Sequence, residues 1–152
     1  MAAIHIPFED HLRTFNACLM QQGLPAALEL LNERTQFRYT AMFAFVNQTV
    51  RPLYVFDQFR EDQAYLHSAL LMEALCRLTA AMAEFVCGDC RGDDRLFTLG
   101  GPIVSYCGLA VGPPAGPVGG ILCHFDVEHR VVKPCELAFL HAVAPLLLDY
   151  IY

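Results

Sequence analysis

The chain has 152 residues, 55% hydrophobic and 17% charged, with a formal net charge of −6. This length fits a single domain over 1–152 that needs neither disulfides nor metal to hold its core, and the acidic balance excludes a binder of phosphate backbones, which requires clustered Lys and Arg. The longest apolar run, 68–87, is broken by Glu73, Arg77 and Glu84, and the N-terminus lacks a secretion signal, so a cytoplasmic protein without membrane or nucleic-acid partners is expected.

Phe8, Leu12, Phe15 and Leu19 recur at helical spacing with Glu9, Asp10 and Arg13 on the other side, which predicts a first amphipathic helix stopped at Gly23. Pro25 suits the first turn of a second helix carrying Leu28 and Leu31. The Phe- and Val-rich runs 39–47 and 50–57, joined at Gln48-Thr49, predict an antiparallel hairpin. Both faces of this hairpin are apolar, so both should be covered.

Leu71, Leu75, Leu78, Met82 and Phe85 then form the stripe of a long helix, with Glu73 and Arg77 paired on its far side. Residues 87–94 read as a Gly/Asp-rich loop, and strands are predicted around 95–99, 103–111 and 119–125. A last helix begins after Pro134, carries Leu137, Leu140, Ala144, Leu147 and Ile151 on one stripe, and should kink or shift at Pro145. The order of helices and strands describes an antiparallel α+β sandwich.

Seven cysteines are present. Cys18, Cys76, Cys107 and Cys123 belong to periodic apolar segments and are expected as reduced core residues. Cys87-Gly-Asp-Cys90 has the spacing of a reversible disulfide or of half a thiolate zinc site. Zinc would need a second pair, and two loop thiols without a role are the plainer expectation.

The segment Gly101-Pro-Ile-Val-Ser-Tyr-Cys-Gly-Leu-Ala-Val111, a Pro/Gly turn, Gly119-Gly-Ile-Leu-Cys-His-Phe-Asp126 and then His129-Arg130 resembles the C-terminal signature of GAF domains. The family commonly has Pro-Leu where this chain has Leu109-Ala110-Val111, and Gly-Thr-Leu where it has Gly120-Ile121-Leu122. The resemblance implies an α+β, PAS/profilin-like fold with a central antiparallel sheet, N- and C-terminal helices packed on one face and a ligand pocket on the other. It implies a small-molecule sensor acting in trans on a signalling partner, with no catalysis of its own. Some GAF-type proteins are similar to free methionine-(R)-sulfoxide reductases, which would give Cys87 and Cys90 the nucleophilic and resolving roles.

On the predicted hairpin, Phe43, Phe45, Tyr54 and Phe56, with Tyr106, are expected to make an aromatic pocket wall on one sheet face, with Asp57 and Arg60 at its rim. The same rings would serve equally well as the second half of the core. Asp126 is expected to end its strand by accepting backbone hydrogen bonds in the following turn, with Arg130 as its partner. His67 and His141 fall on predicted helices, where a lone His is ordinarily hydrogen-bonded or solvated, and no metal or cofactor is predicted. A homodimer is expected through Phe8, Leu12, Phe15, Leu19, Leu140, Leu147 and Ile151, within or beside an N-terminal helix in 1–23. A dimer module with a filled interior is the alternative that binds nothing.

Overall fold

In a computed structural model that describes residues 8–61, 69–113 and 116–151, two helices lead the chain, α1 (Phe8–Gln22) and α2 (Leu24–Asn32). Gly23 joins them at φ +93°, a left-handed conformation that glycine adopts without strain, and its N–H closes α1 onto the Leu19 carbonyl at 3.0 Å. Strands β1 (Tyr39–Val46) and β2 (Thr49–Asp57) follow, turned by Asn47 and Gln48, both at positive φ as a tight hairpin requires. Helix α3 (Ala69–Met82) ends where Ala83 turns to φ +68°, and the chain enters a short strand β3 (Glu84–Cys87).

A single 3-10 turn (Cys90–Gly92) and a one-turn helix α4 (Asp94–Phe97) lead to β4 (Ser105–Val111) and β5 (Gly120–Asp126). Helix α5 (Pro134–Val143) passes into a 3-10 segment (Ala144–Tyr150) at Pro145, the shift expected of a proline that cannot donate within a helix. Two expectations for the middle of the chain fail. Phe85 belongs to β3 rather than to the α3 stripe, and 95–99 holds part of α4 instead of a strand, because the Asp93 carboxylate caps the Arg95 N–H at 2.9 Å and starts a helical turn.

The strands form one sheet in the order β2-β1-β5-β4-β3, antiparallel throughout. Its register shifts between Met42 and Phe43, opposite the stretch of β2 that contains Pro52. On one face α1, α2, α5 and the 3-10 segment after α5 bury Phe15, Leu19, Leu28, Phe139 and Leu147 against Met42, Leu109 and Leu122. On the other, α3 and α4 bury Leu71, Leu75 and Leu96 against Tyr39, Phe43, Tyr106 and Phe125. Phe139 gathers the terminal helices, with Phe8 and Phe15 edge-on at 5.5 and 6.3 Å and the Arg34 guanidinium 3.8 Å above its ring.

This packing corrects the expected dimer surface. Phe15, Leu19, Leu140, Leu147 and Ile151 are buried in the chain's own core, with Leu12 packed half-buried against it, since the apolar sides of α1, α5 and the 3-10 segment after α5 face the sheet. Phe8 remains substantially exposed. Of the four cysteines expected in the core, Cys76, Cys107 and Cys123 are buried, and burial pushes the Cys76 and Cys107 thiols up to about 12, whereas Cys18, beside the buried stripe of α1, is only half-buried.

A polar chain crosses the helical face of the sheet. Asn32 Nδ2 donates to Thr40 Oγ1 at 2.8 Å and to the Phe37 carbonyl at 2.9 Å, and Thr40 Oγ1 lies 2.7 Å from His124 Nδ1. Thr40 Oγ1 thus bridges Asn32 of α2 and His124 of β5 through one buried hydroxyl. Phe37 stacks on the imidazole at 5.7 Å.

On the opposite face Tyr106 lies over Gly108, two residues along the same strand, and its hydroxyl meets Thr79 Oγ1 at 2.7 Å. A Cβ at position 108 would stand 2.6 Å from Tyr106 Cζ, so the ring, fully buried, would have to leave its seat. Gly108→Ala is therefore expected to cost about 3 kcal/mol by overpacking, read as a lower urea midpoint. In a Tyr106→Leu background the same change should cost markedly less; equal costs would disprove the clash.

Candidate functional site

Between α3 and α4, on the sheet face away from the terminal helices, lies a groove of about 450 Å³ open to solvent. Leu70, Ala74 and Leu78 of α3 form one wall, and Leu96 and Leu99 form the other. Glu73, Arg77 and Arg95 edge it. The buried side of α3 is taken by Leu71, Met72, Leu75 and Cys76, so the groove is a second apolar stripe left over once the core is filled. Arg77 Nη2 is held by Glu73 Oε1 at 2.6 Å and by the Gln48 carbonyl at 3.1 Å. Arg95 pairs with Asp93 at 2.7 Å, and its guanidinium lies 5.4 Å over the Phe85 ring.

The aromatic wall expected on one face is divided between two. Phe43 and Tyr106 are buried under α3, whereas Tyr54 packs with the helical-face core. Met42 pairs with Tyr54 and Thr40 with Phe56, so these two rings lie on the face of the polar chain; the register shift after Met42 then offsets the alternation between the strands. Phe45 is half-buried and lines a separate cleft of about 440 Å³ with Ala80, Ala81 and Val118, to which Arg77 also contributes.

The two expected rim residues are also engaged elsewhere. Asp57 is buried and accepts two hydrogen bonds from Arg38, at 2.8 and 3.0 Å, and one each from the Phe59 and Glu61 N–H groups. Burial alone would raise its pKa, but the Arg38 and backbone hydrogen bonds outweigh it and hold the carboxyl below its ordinary 3.8. Arg60 is exposed, 2.8 Å from Glu29 of α2 and over Phe56 at 5.7 Å. None of the seven expected ligand residues lines the groove between α3 and α4.

Cys87 closes β3 and Cys90 opens the 3-10 turn, with Gly88 and Asp89 between them. Cys90 is buried, and burial followed by the charge of Cys87 drives its pKa far up; Cys87 is half-exposed. The loop is held at both ends. His129 Nδ1 meets the Gly88 carbonyl at 2.7 Å, the Cys90 N–H donates to Val104 at 2.6 Å, and Arg91 holds Asp89 down at about 2 through side-chain and backbone hydrogen bonds. Leu96 belongs both to the groove and to a cleft of about 40 Å³ beside Cys90.

Asp126 takes the structural place expected of it, accepting from the N–H groups of Arg38 and Glu128 and from Arg130 Nε at 2.9, 3.1 and 3.0 Å. His141 pairs with Glu84 at 2.6 Å, and His67 lies outside the described residues. Among the described residues no group of three or more His, Cys, Asp or Glu side chains could hold a metal ion, and no helix is long and apolar enough to cross a membrane.

No family profile matches the sequence, and no curated protein matches it. Solved structures do match in shape. The free methionine-R-sulfoxide reductase of Neisseria meningitidis, solved with its substrate, is similar over 99% of this chain and 96% of its own, with a TM-score of 0.64 at 12% identity. The GAF domain of a phosphoenolpyruvate-protein phosphotransferase from Acinetobacter is similar over 94% and 91%, with a TM-score of 0.67 at 12% identity. A type II free methionine-R-sulfoxide reductase from Thermoplasma acidophilum is similar over 92% and 94%, at 0.64 and 16%. With its five-stranded antiparallel sheet and its terminal helices packed together, the chain has the α+β fold of GAF domains and of the GAF-like reductases.

Proposed function

We propose that this chain is a small-molecule-binding regulatory module without catalysis of its own, which carries its signal to a partner protein. The reading rests on the groove between α3 and α4, about 450 Å³ with an apolar floor and two guanidinium groups at its edge. That volume and lining suit a drug-sized ligand with an apolar body and one acidic group, the acid engaging Arg77 or Arg95. It takes the place of the aromatic wall read from the hairpin, whose members are divided between the two faces.

A panel of aliphatic and aromatic carboxylates, screened by thermal shift, tests this. A binder at 100 times its dissociation constant should stabilise by about 2.7 kcal/mol. Arg77→Gln or Arg95→Gln should weaken it at least tenfold, as expected for a lost charge-assisted hydrogen bond, and Ala74→Phe should abolish binding without unfolding the protein. No stabilisation by any member, or affinity unchanged in both arginine variants, would remove the proposal. Such a module would also work as a homodimer; sedimentation as a monomer at micromolar concentration would remove that part.

The reductase activity named for two of the structural neighbours would come to this chain through Cys87 and Cys90. The space beside Cys90, about 40 Å³, is too small for an amino-acid substrate, which favours the binding module. Turnover of free methionine-R-sulfoxide with a thioredoxin system would reverse that preference.

A further inference from the structure

We propose that the ligand of the groove is an N-acyl amino acid: its acyl chain fills the space between α3 and α4, its carboxylate meets Arg77, and its polar side chain lies in the neighbouring cleft at the end of α3. This inference rests on the groove being a ligand site, and it adds a second subsite and the order of the ligand's parts.

Arg77 lines both spaces, the apolar groove of about 450 Å³ and the cleft of about 440 Å³ beside Phe45. Leu70, Ala74, Arg77 and Ala81 follow one another at i, i+4, i+7 and i+11, which sets them in a single row along α3, with Arg77 between the two spaces. From Leu70 to Ala81 the row runs about 16 Å, enough for an extended acyl chain joined to one amino acid. Its two ends differ in chemistry. The first is walled by leucines, whereas at the second Asn47 and Gln48 bring amide groups beside Phe45 and Val118.

Of the two arginines at the groove, Arg77 is the one with nitrogens to offer. Arg95 commits Nε and Nη2 to the two carboxylate oxygens of Asp93, at 3.1 and 2.7 Å. Arg77 is exposed, and its bonds to Glu73 Oε1 and to the Gln48 carbonyl both leave from Nη2; among the described residues Nε and Nη1 have no partner. A carboxylate can therefore dock on them. Glu73 Oε2 also lacks a partner among the described residues, and as a carboxylate oxygen it can only accept. A plain fatty acid would answer Arg77 but set a second carboxylate against Glu73. An N-acyl amino acid carries on one carbon both the carboxylate for Arg77 and the amide N–H for Glu73, and from that carbon its side chain can turn towards Asn47 and Gln48.

Calorimetric titration with octanoate, N-octanoyl-L-glutamine and the α-methyl ester of the latter tests this. N-octanoyl-L-glutamine should bind at least tenfold more tightly than octanoate, the gain of about two net hydrogen bonds, and the ester should lose at least tenfold. Ala81→Phe, at an exposed helix position, fills the second cleft and should erase the advantage over octanoate. Octanoate binding as tightly as N-octanoyl-L-glutamine, an ester as tight as the acid, or an advantage that survives Ala81→Phe would overturn the inference and leave the groove standing as a ligand site. If none of the three binds while another carboxylate does, this inference alone falls; if no carboxylate binds, the reading of the groove falls with it. The comparison of ligands on the wild-type protein needs no variant, so it decides the matter even if Ala81→Phe folds poorly.

Discussion

Asp57→Ala is expected to lower stability by about 4 kcal/mol, the cost of breaking a buried ion pair from one side, and to drop the melting temperature by roughly 10 °C in a domain of this size. The Arg38 and Asp57 side chains are only 11% and 4% exposed, so the guanidinium left behind could neither hydrate fully nor find an equal partner. Glu61 stands 3.7 Å away but is 69% exposed, and the Phe59 and Tyr39 rings, 4.6 and 4.9 Å from the Arg38 carbon, offer only their faces. The turn after β2 would lose two further acceptor contacts, those to the N–H groups of Phe59 and Glu61. Asp57→Asn keeps an acceptor and should cost about half as much. Chemical denaturation of the three proteins decides the matter, and a loss below about 1 kcal/mol in the alanine variant would mean that the pair behaves as a surface salt bridge.

Acidification should weaken the fold well above the range where carboxylates titrate. Burial depresses His124 to about 3, against an ordinary value of 6.5. The unfolded chain therefore takes up a proton that the folded chain refuses, and stability present above pH 6.5 is lost as the pH falls towards 3, at about 1.4 kcal/mol per unit. By pH 4.5 the loss from this residue alone should reach about 3 kcal/mol. Asp57 adds its own loss only lower, because a depressed carboxyl stabilises above its ordinary 3.8 and fails beneath it. His124→Asn, whose amide can occupy the place of Nδ1 opposite Thr40, should flatten the curve between pH 6.5 and 4.5. A wild-type curve already flat in that window would show that the imidazole titrates normally.

Much of the architecture is legible because its periodicities are local. The α1 stripe, the proline at the start of α2, the β1–β2 alternation and the interruption at Pro145 each announce themselves within a few residues. The middle of the chain misleads for a physical reason. Phe85 falls on the α3 period, and only the left-handed Ala83, a conformation no residue type there advertises, ends the helix before it. The Asp93-Asp94 pair did carry a helix-start signal, with Asp93 now seen to cap Arg95.

The aromatic wall fails for another reason. Strand alternation assigns faces only relative to a neighbour, and the register shift after Met42 changes that relation halfway along the hairpin. The groove was present in the sequence as an excess, since Leu70, Ala74 and Leu78 sit beside a stripe already sufficient to cover the sheet. Its opposite wall, Leu96 and Leu99, comes from a segment predicted as a strand, so the two halves could not be brought together by pattern alone.

The borders of the sheet also limit how one molecule can meet another. At one border Pro52 has no N–H to offer and the register slips beside it; at the other β3 is four residues long. Neither presents the long, even ladder on which a foreign strand could be templated, so β-augmentation and edge-to-edge aggregation are discouraged at both ends. Self-association is thereby directed to side-chain surfaces, where single substitutions can tune it.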